Sequence, residues 1–290
     1  MATATPGSFR RLFCYLLMLV VSGGNSFAQQ HHQQQREGKL FIIGGGSISD
    51  SLRSQMLSAA HWKKGDVIAA VTLASGYGDS AYIWMNEDFK KLTGEDCLKF
   101  DSAAVHDANS IAALRKARVI YLGGGDQERL MRLIKNSAVK ETILAARKAG
   151  AMIAGTSAGA SAMSARMITG NALLDTVQAS TFKRISKGNL ELKEGLGLLD
   201  SVIIDQHFIT RSRYNRMLSA IMEFPDFNCI GINESTAIIV DKGMATVVGE
   251  SQVVVFSQPQ GIHTGANGVL AASSIKLSLY TAGEKFKIKR

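Results

Sequence analysis

The chain has 290 residues, 46% of them hydrophobic and only three of them proline, which excludes a disordered or collagen-like chain. Lys and Arg number 33 against 24 Asp and Glu, but the formal excess of +9 is spread along the chain without a long basic run. It therefore makes no case for a nucleic-acid partner. Three cysteines (Cys14, Cys97 and Cys229) are too few for a disulfide scaffold and show no metal-ligand spacing. A chain of this size buries roughly three quarters of its unfolded surface, so one large core needs no covalent staples.

Residues 1–28 read as a secretory signal peptide. Arg10 and Arg11 form a positive head, Leu12 to Val21 an apolar core, and Ser26-Phe27-Ala28 a small-x-small cleavage pattern. The apolar core is ten residues long, about half of what a membrane span needs, so no membrane anchor is expected after cleavage. Residues 29–38, rich in Gln and His, read as a disordered lead-in.

From Lys39 onward, in a single domain over residues 39–290, short apolar runs ending in glycine alternate with amphipathic stretches. Leu40–Ile43 reads as a strand ending in Gly44-Gly45-Gly46, followed by a helix from Ser49 to about His61. Val67–Ala74 is a second strand, and Ser80–Lys91 reads as a helix. Val119–Leu122 is a strand ending in Gly123-Gly124-Gly125, after which Asp126 caps a helix to about Ile134, and Ser137–Lys148 forms the next. Met152–Ala154 is a strand that turns at Gly155 into a helical run, Ala160–Met167. Val202–Ile204 and Cys229–Ile232 are further strands, with a helix over Arg213–Met222 between them. Fully apolar strands separated by helices predict an α/β fold, its mostly parallel sheet covered by helices on both faces. Ala237–Val240, Ala245–Val248 and Val253–Phe256 predict antiparallel hairpins at the end of that sheet.

In such sheets ligands bind beyond the carboxyl ends of the strands. Gly155-Thr156-Ser157-Ala158-Gly159 matches G-x-S-x-G between a strand and a helix. That turn lifts a serine clear of the backbone and leaves the amide of the following residue, Ala158, to meet an oxyanion. Of the four histidines after the lead-in, His61, His106 and His263 lie in polar segments, whereas His207 directly follows a buried strand. Glu234 follows the strand Cys229–Ile232 and is a candidate to orient His207; Asp205, two residues before the histidine, competes for that place. The order Ser…His…Glu argues against the α/β-hydrolase fold. Arg211, Arg213 and Arg216 follow His207 at a density suited to gripping a carboxylate. Gly125 can offer a second oxyanion amide and Gln127 a polar contact. No Lys-Ser/Thr follows those glycines, which disfavours a phosphate loop.

Taken in order, Phe41–Gly46, Gly123–Gln127, Gly155–Ser161, Asp205–Phe208 with its trailing arginines, and Gly231–Ala237 resemble the cyanophycinase branch of the S51 serine peptidases. The resemblance implies a class I glutamine-amidotransferase-like α/β fold, frequent dimerisation, and no metal or cofactor. It implies Ser157 as nucleophile, His207 as base and Glu234 rather than Asp205 as its partner. Gln127, Asp205, Gln206, Arg211, Arg213 and Arg216 would then line the substrate pocket, with Asp205 meeting a guanidinium. The implied substrate is cyanophycin, a poly-aspartate backbone carrying arginine on each β-carboxyl, cleaved to β-aspartyl-arginine dipeptides. Two rivals stand beside it: a dipeptidase for short aspartyl or isoaspartyl peptides, and a non-catalytic exported binding protein on the same fold. A Cys97–Cys229 disulfide is left open, and the sequon Asn233-Glu234-Ser235 is read as incidental.

Overall fold

In the computed structural model, which describes residues 37–175 and 182–288, the apolar runs ending in glycine become the strands of a central sheet. The signal peptide and most of the lead-in lie outside the described residues. The first half of the chain runs β1 (Leu40–Ile43), α1 (Asp50–Ala59), β2 (Ile68–Val71), α2 (Gly78–Thr93), β3 (Leu98–Phe100) and α3 (Ala108–Lys116). It continues through β4 (Val119–Leu122), α4 (Gln127–Ile134), α5 (Val139–Lys148), β5 (Met152–Thr156) and the single turn α6 (Ala158–Ser161). The second half runs β6 (Arg166–Ala172), β7 (Leu190–Glu194), β8 (Val202–Asp205), α7 (Tyr214–Glu223), β9 (Asn228–Ile232) and β10 (Thr236–Asp241). It ends with β11 (Met244–Gly249), β12 (Val253–Gln260), β13 (His263–Thr264), β14 (Leu270–Ala271), β15 (Ser274–Tyr280) and β16 (Lys285–Lys287).

The large sheet has the order β16-β11-β10-β1-β5-β4-β2-β3. β1, β5, β4, β2 and β3 are parallel, and β10, β11 and β16 extend the β1 side as antiparallel strands. β1, β2, β4 and β5 are buried on both faces, which is why their sequences show no alternation. Leu40, Ile42, Ile120 and Ile153 enter one core cluster with residues of α3 and α5, while Phe41, Ile43, Val119 and Met152 enter another with residues of α1 and α2. Helix starts follow local chemistry. Asp126 accepts from the amides of Glu128 and Arg129 at 2.8 and 3.2 Å, and Ser49 accepts from Leu52 at 3.3 Å.

Three expectations need correction. β8 and β9 do not join the large sheet; they pair in parallel within a second sheet of order β15-β12-β9-β8. A strand buried on both faces reads the same in either sheet, and here Val202 and Ile204 meet the large sheet's core while Ile203 packs under α7. Of the three late hairpin strands, β10 and β11 belong to the large sheet but β12 crosses to the second. The helix expected over Ala160–Met167 is one turn. Tertiary bonds take over its backbone: Leu196 donates to the Ala162 carbonyl at 2.7 Å and Ala165 donates to that of Leu199 at 2.9 Å. Cys97 and Cys229 are free, and each is buried in a different core cluster, so the open disulfide question resolves to two reduced thiols.

Candidate active site

Register brings the strand ends together. Ile43 of β1 lies opposite Thr156 of β5, and Leu122 of β4 lies opposite Gly155, so three glycine-rich loops leave one edge of the large sheet. The second sheet delivers its own strand ends to that edge. The His207 amide donates to the Gly44 carbonyl at 2.7 Å, and the Phe208 amide donates to that of Ile232 at 3.2 Å.

Ser157 stands between β5 and α6 with φ 51° and ψ −111°, a backbone state that costs a non-glycine residue on the order of 1–3 kcal/mol. Small neighbours make the turn possible. A Cβ on Gly155 would sit 2.7 Å from the Gly159 carbonyl oxygen, and one on Gly159 would sit 2.2 Å from that of Leu122. The Ser157 amide donates to the Ile43 carbonyl at 3.2 Å, tying the elbow to β1. Ser157 Oγ lies 2.9 Å from His207 Nε2, and His207 Nδ1 lies 2.6 Å from Glu234 Oε1. With Nδ1–H donating to Glu234, the Nε2 lone pair faces the serine hydroxyl.

His207 is buried and also has a positive φ, 49°. Gly45 covers it so closely that a Cβ there would lie 2.4 Å from the imidazole Cε1, while a Cβ on Gly46 would lie 2.6 Å from Glu234 Cβ. This glycine loop after β1 is thus the lid of the histidine–glutamate pair, a role its composition alone does not reveal. Burial pushes the imidazole below its ordinary value; the Glu234 hydrogen bond opposes this, and the charges of Arg211 and Arg213 add to it.

Ala158 is the first residue of α6, so its amide has no intrahelical acceptor. Gly124 packs on Ser157, where a Cβ would meet that of the serine at 3.5 Å, and Gly125 follows with φ 136°. Ala158 therefore follows the serine directly, whereas Gly125 packs against the Ala74 carbonyl and it is its neighbour Gly124 that touches Ser157. Arg211 is exposed on the loop after His207, and Arg213 is buried with its Nε unpartnered among the described residues.

Four expected pocket residues have other duties. Asp205 is 0% exposed and accepts from Arg216 Nε at 2.6 Å, from Arg216 Nη2, and from Arg213 Nη1 at 3.3 Å. It has no face left for a substrate guanidinium. Arg216, 4% exposed, is neither a pocket residue nor a solvated helix residue but the buried counter-ion of Asp205. Gln206 is buried, and its carbonyl oxygen and Oε1 both accept from Arg213 Nη1. Gln127 is buried and spends both Nε2 protons on the Ile168 and Thr169 carbonyls, at 2.9 and 2.7 Å. These four hold Arg213 and β6 in place. His61, His106 and His263 are exposed, in keeping with their polar segments.

The sequon asparagine makes bonds that spacing did not signal. Asn233 Oδ1 accepts from the amides of Ile209 and Thr210 at 3.1 and 3.0 Å and from Thr210 Oγ1 at 3.0 Å, while Nδ2 donates to Ser251 Oγ at 2.9 Å.

A mixed α/β fold with a large, mostly parallel sheet, of the class I glutamine-amidotransferase-like kind, here carries a hydrogen-bonded Ser–His–Glu array at its strand ends. The chain belongs to peptidase family S51, whose sequence model matches residues 40–248. It is 33% identical over 184 residues to a cyanophycinase of Trichormus variabilis, covering 61% of this chain and 59% of that protein. It is 28% identical over 158 residues to a peptidase E of Citrobacter koseri, covering 52% and 63%. The chain thus matches about three fifths of the length of these curated relatives. The fold matches the crystal structure of a peptidase from an acI-B1 actinobacterium, with a TM-score of 0.64 at 18% identity over 88% of this chain and 99% of that one.

Proposed function

We propose that this chain is a serine peptidase that hydrolyses cyanophycin to β-aspartyl-arginine dipeptides through an acyl-enzyme on Ser157. The observation that carries the reading is the continuous hydrogen-bonded array from Ser157 Oγ through His207 to Glu234. Ser157 Oγ attacks a backbone carbonyl of the aspartate chain as its proton passes to His207 Nε2, and Glu234 steadies the imidazolium. The amides of Ala158 and Gly125 hold the oxyanion. His207 then protonates the leaving amine, and water, deprotonated by the same imidazole, releases the dipeptide. Arg211, exposed beside the base, meets an aspartyl carboxylate, while Asp205 and Gln206 hold the buried Arg213 behind it.

The matches to relatives named cyanophycinase favour the polymer, while the weaker match to a peptidase E keeps short aspartyl peptides as the second reading. The signal-peptide pattern of residues 1–28 supports export, checked by an exported chain that begins at Gln29. A homodimer is the assembly the resemblance supports, and gel filtration with light scattering tests it. Incubation with purified cyanophycin and mass analysis of the soluble fraction tests the activity. β-Aspartyl-arginine from the wild type and none from a folded Ser157→Ala variant is the expected result. Free aspartate from short peptides with intact polymer would move the assignment to the dipeptidase.

A further inference from the structure

Between the proposed base and its carboxylate partner, one amide side chain gathers three hydrogen bonds. The loop beyond β8 passes through His207 itself at φ 49° and then turns toward α7. Left alone, such a backbone relaxes, because a left-handed residue with a Cβ is held only by its surroundings. Backbone bonds supply part of that hold: His207 donates to the Gly44 carbonyl, Phe208 to that of Ile232, and Arg211 back to that of His207. The next two amides, of Ile209 and Thr210, both donate to Asn233 Oδ1, as does the Thr210 hydroxyl. Asn233 thus caps this turn as an asparagine caps a helix, except that it reaches in from the loop after β9, 24 residues away from Ile209.

The cap is itself anchored. Nδ2 donates to Ser251 Oγ at 2.9 Å, that hydroxyl donates on to Gln252 Oε1 at 3.0 Å, and the two amides of the turn require an acceptor, so Oδ1 rather than Nδ2 faces them. The backbone of Asn233 donates to the Gln252 carbonyl at 3.2 Å, and Asn233 immediately precedes Glu234. One residue therefore joins the His207 loop to the chain that carries Glu234. We infer that Asn233 is a positioning residue that sets the imidazole between Ser157 and Glu234 by accepting three hydrogen bonds through Oδ1. It touches neither substrate nor reacting atoms. The inference rests on the proposed Ser157–His207–Glu234 reading and goes beyond it.

The test follows the reaction of Ser157 with a small neutral alkyl fluorophosphonate, which makes no demand on polymer recognition. The serine oxygen bonds to phosphorus, fluoride leaves, and the hydroxyl proton passes to His207. Asn233→Leu, similar in size but with no acceptor, is expected to lower the maximal labelling rate at least ~10-fold per folded molecule, with the half-saturating probe concentration little changed. Asn233→Asp, which keeps an acceptor oxygen, is expected to stay within about threefold of the wild type. Ser251→Ala removes only the anchor of the amide and is expected to slow labelling several-fold, so the inference stays testable if Asn233→Leu does not fold. Circular dichroism melts establish the folded fraction of each variant. Folded Asn233→Leu labelling at the wild-type rate, Asn233→Asp as slow as a folded Asn233→Leu, or Ser251→Ala at the wild-type rate with Asn233→Leu unfolded would each overturn the positioning role. Absence of labelling in the wild type would instead overturn the triad reading beneath it.

Discussion

At the scale of the residue, His207 combines two costs, burial and a left-handed backbone, with two bonds that make use of them. Burial drives its pKa below the ordinary value of 6.5, Glu234 pushes it back up, and the charges of Arg211 and Arg213 drive it further down. The neutral base therefore survives to lower pH than in a free imidazole, and the acidic limb of the labelling profile should fall below 6.5. Replacing Arg211 by Gln removes one lowering charge, so that limb should move up in pH; no movement, or a downward one, would contradict the electrostatic account. The sign for stability follows from the same shift. The unfolded chain takes up the proton first, so this contribution is complete above the ordinary imidazole value and is lost as pH falls through it toward the folded value. Ser157 and His207 were legible because each stands just beyond a strand whose apolar run marks its end; Glu234 stands likewise, but so placed it still competed with Asp205, and only the family resemblance favoured it. Asn233 was not legible, since a bond between segments more than twenty residues apart leaves no spacing signal.

Among elements, the contact between β8 and α7 carries the largest departure from the sequence reading. Asp205 ends β8, and Arg216 lies in the first turn of α7, eleven residues on. A sequence displays the two charges but not their burial, so both looked like pocket residues. Packing closes one on the other and leaves Arg213 braced beside them. Asp205→Ala should strip the compensation from two buried guanidinium groups and destabilise the fold by about 3–5 kcal/mol, measured by urea unfolding. Unchanged stability with a raised KM would return Asp205 to the substrate. The strands themselves were legible from their runs, but the sheet each joined was not, because β8 and β9 are as apolar on both faces as β1 or β5. The short α6 escaped for a related reason. Ala160 to Met167 suits a helix locally, and carbonyl bonds from distant residues stop it after one turn.

Across the whole molecule, the site is assembled from two sheets. The large one supplies Ser157 and its glycine neighbours, and the second brings His207 and Glu234 to the same edge. That division explains why β1 ends in three glycines: it is the seam across which the loops of both sheets meet, with Gly45 against the imidazole. The charge excess, +9 for the full sequence and +7 without Arg10 and Arg11, also changes meaning. Arg213 and Arg216 share the buried Asp205 inside the fold, while Arg211 remains exposed beside the base. Fluorophosphonate labelling followed by peptide mass mapping tests whether Ser157 is a nucleophile activated by His207. A single adduct on Ser157 that disappears in a folded His207→Ala variant is the predicted result; no adduct, or one that forms equally fast without His207, would contradict it.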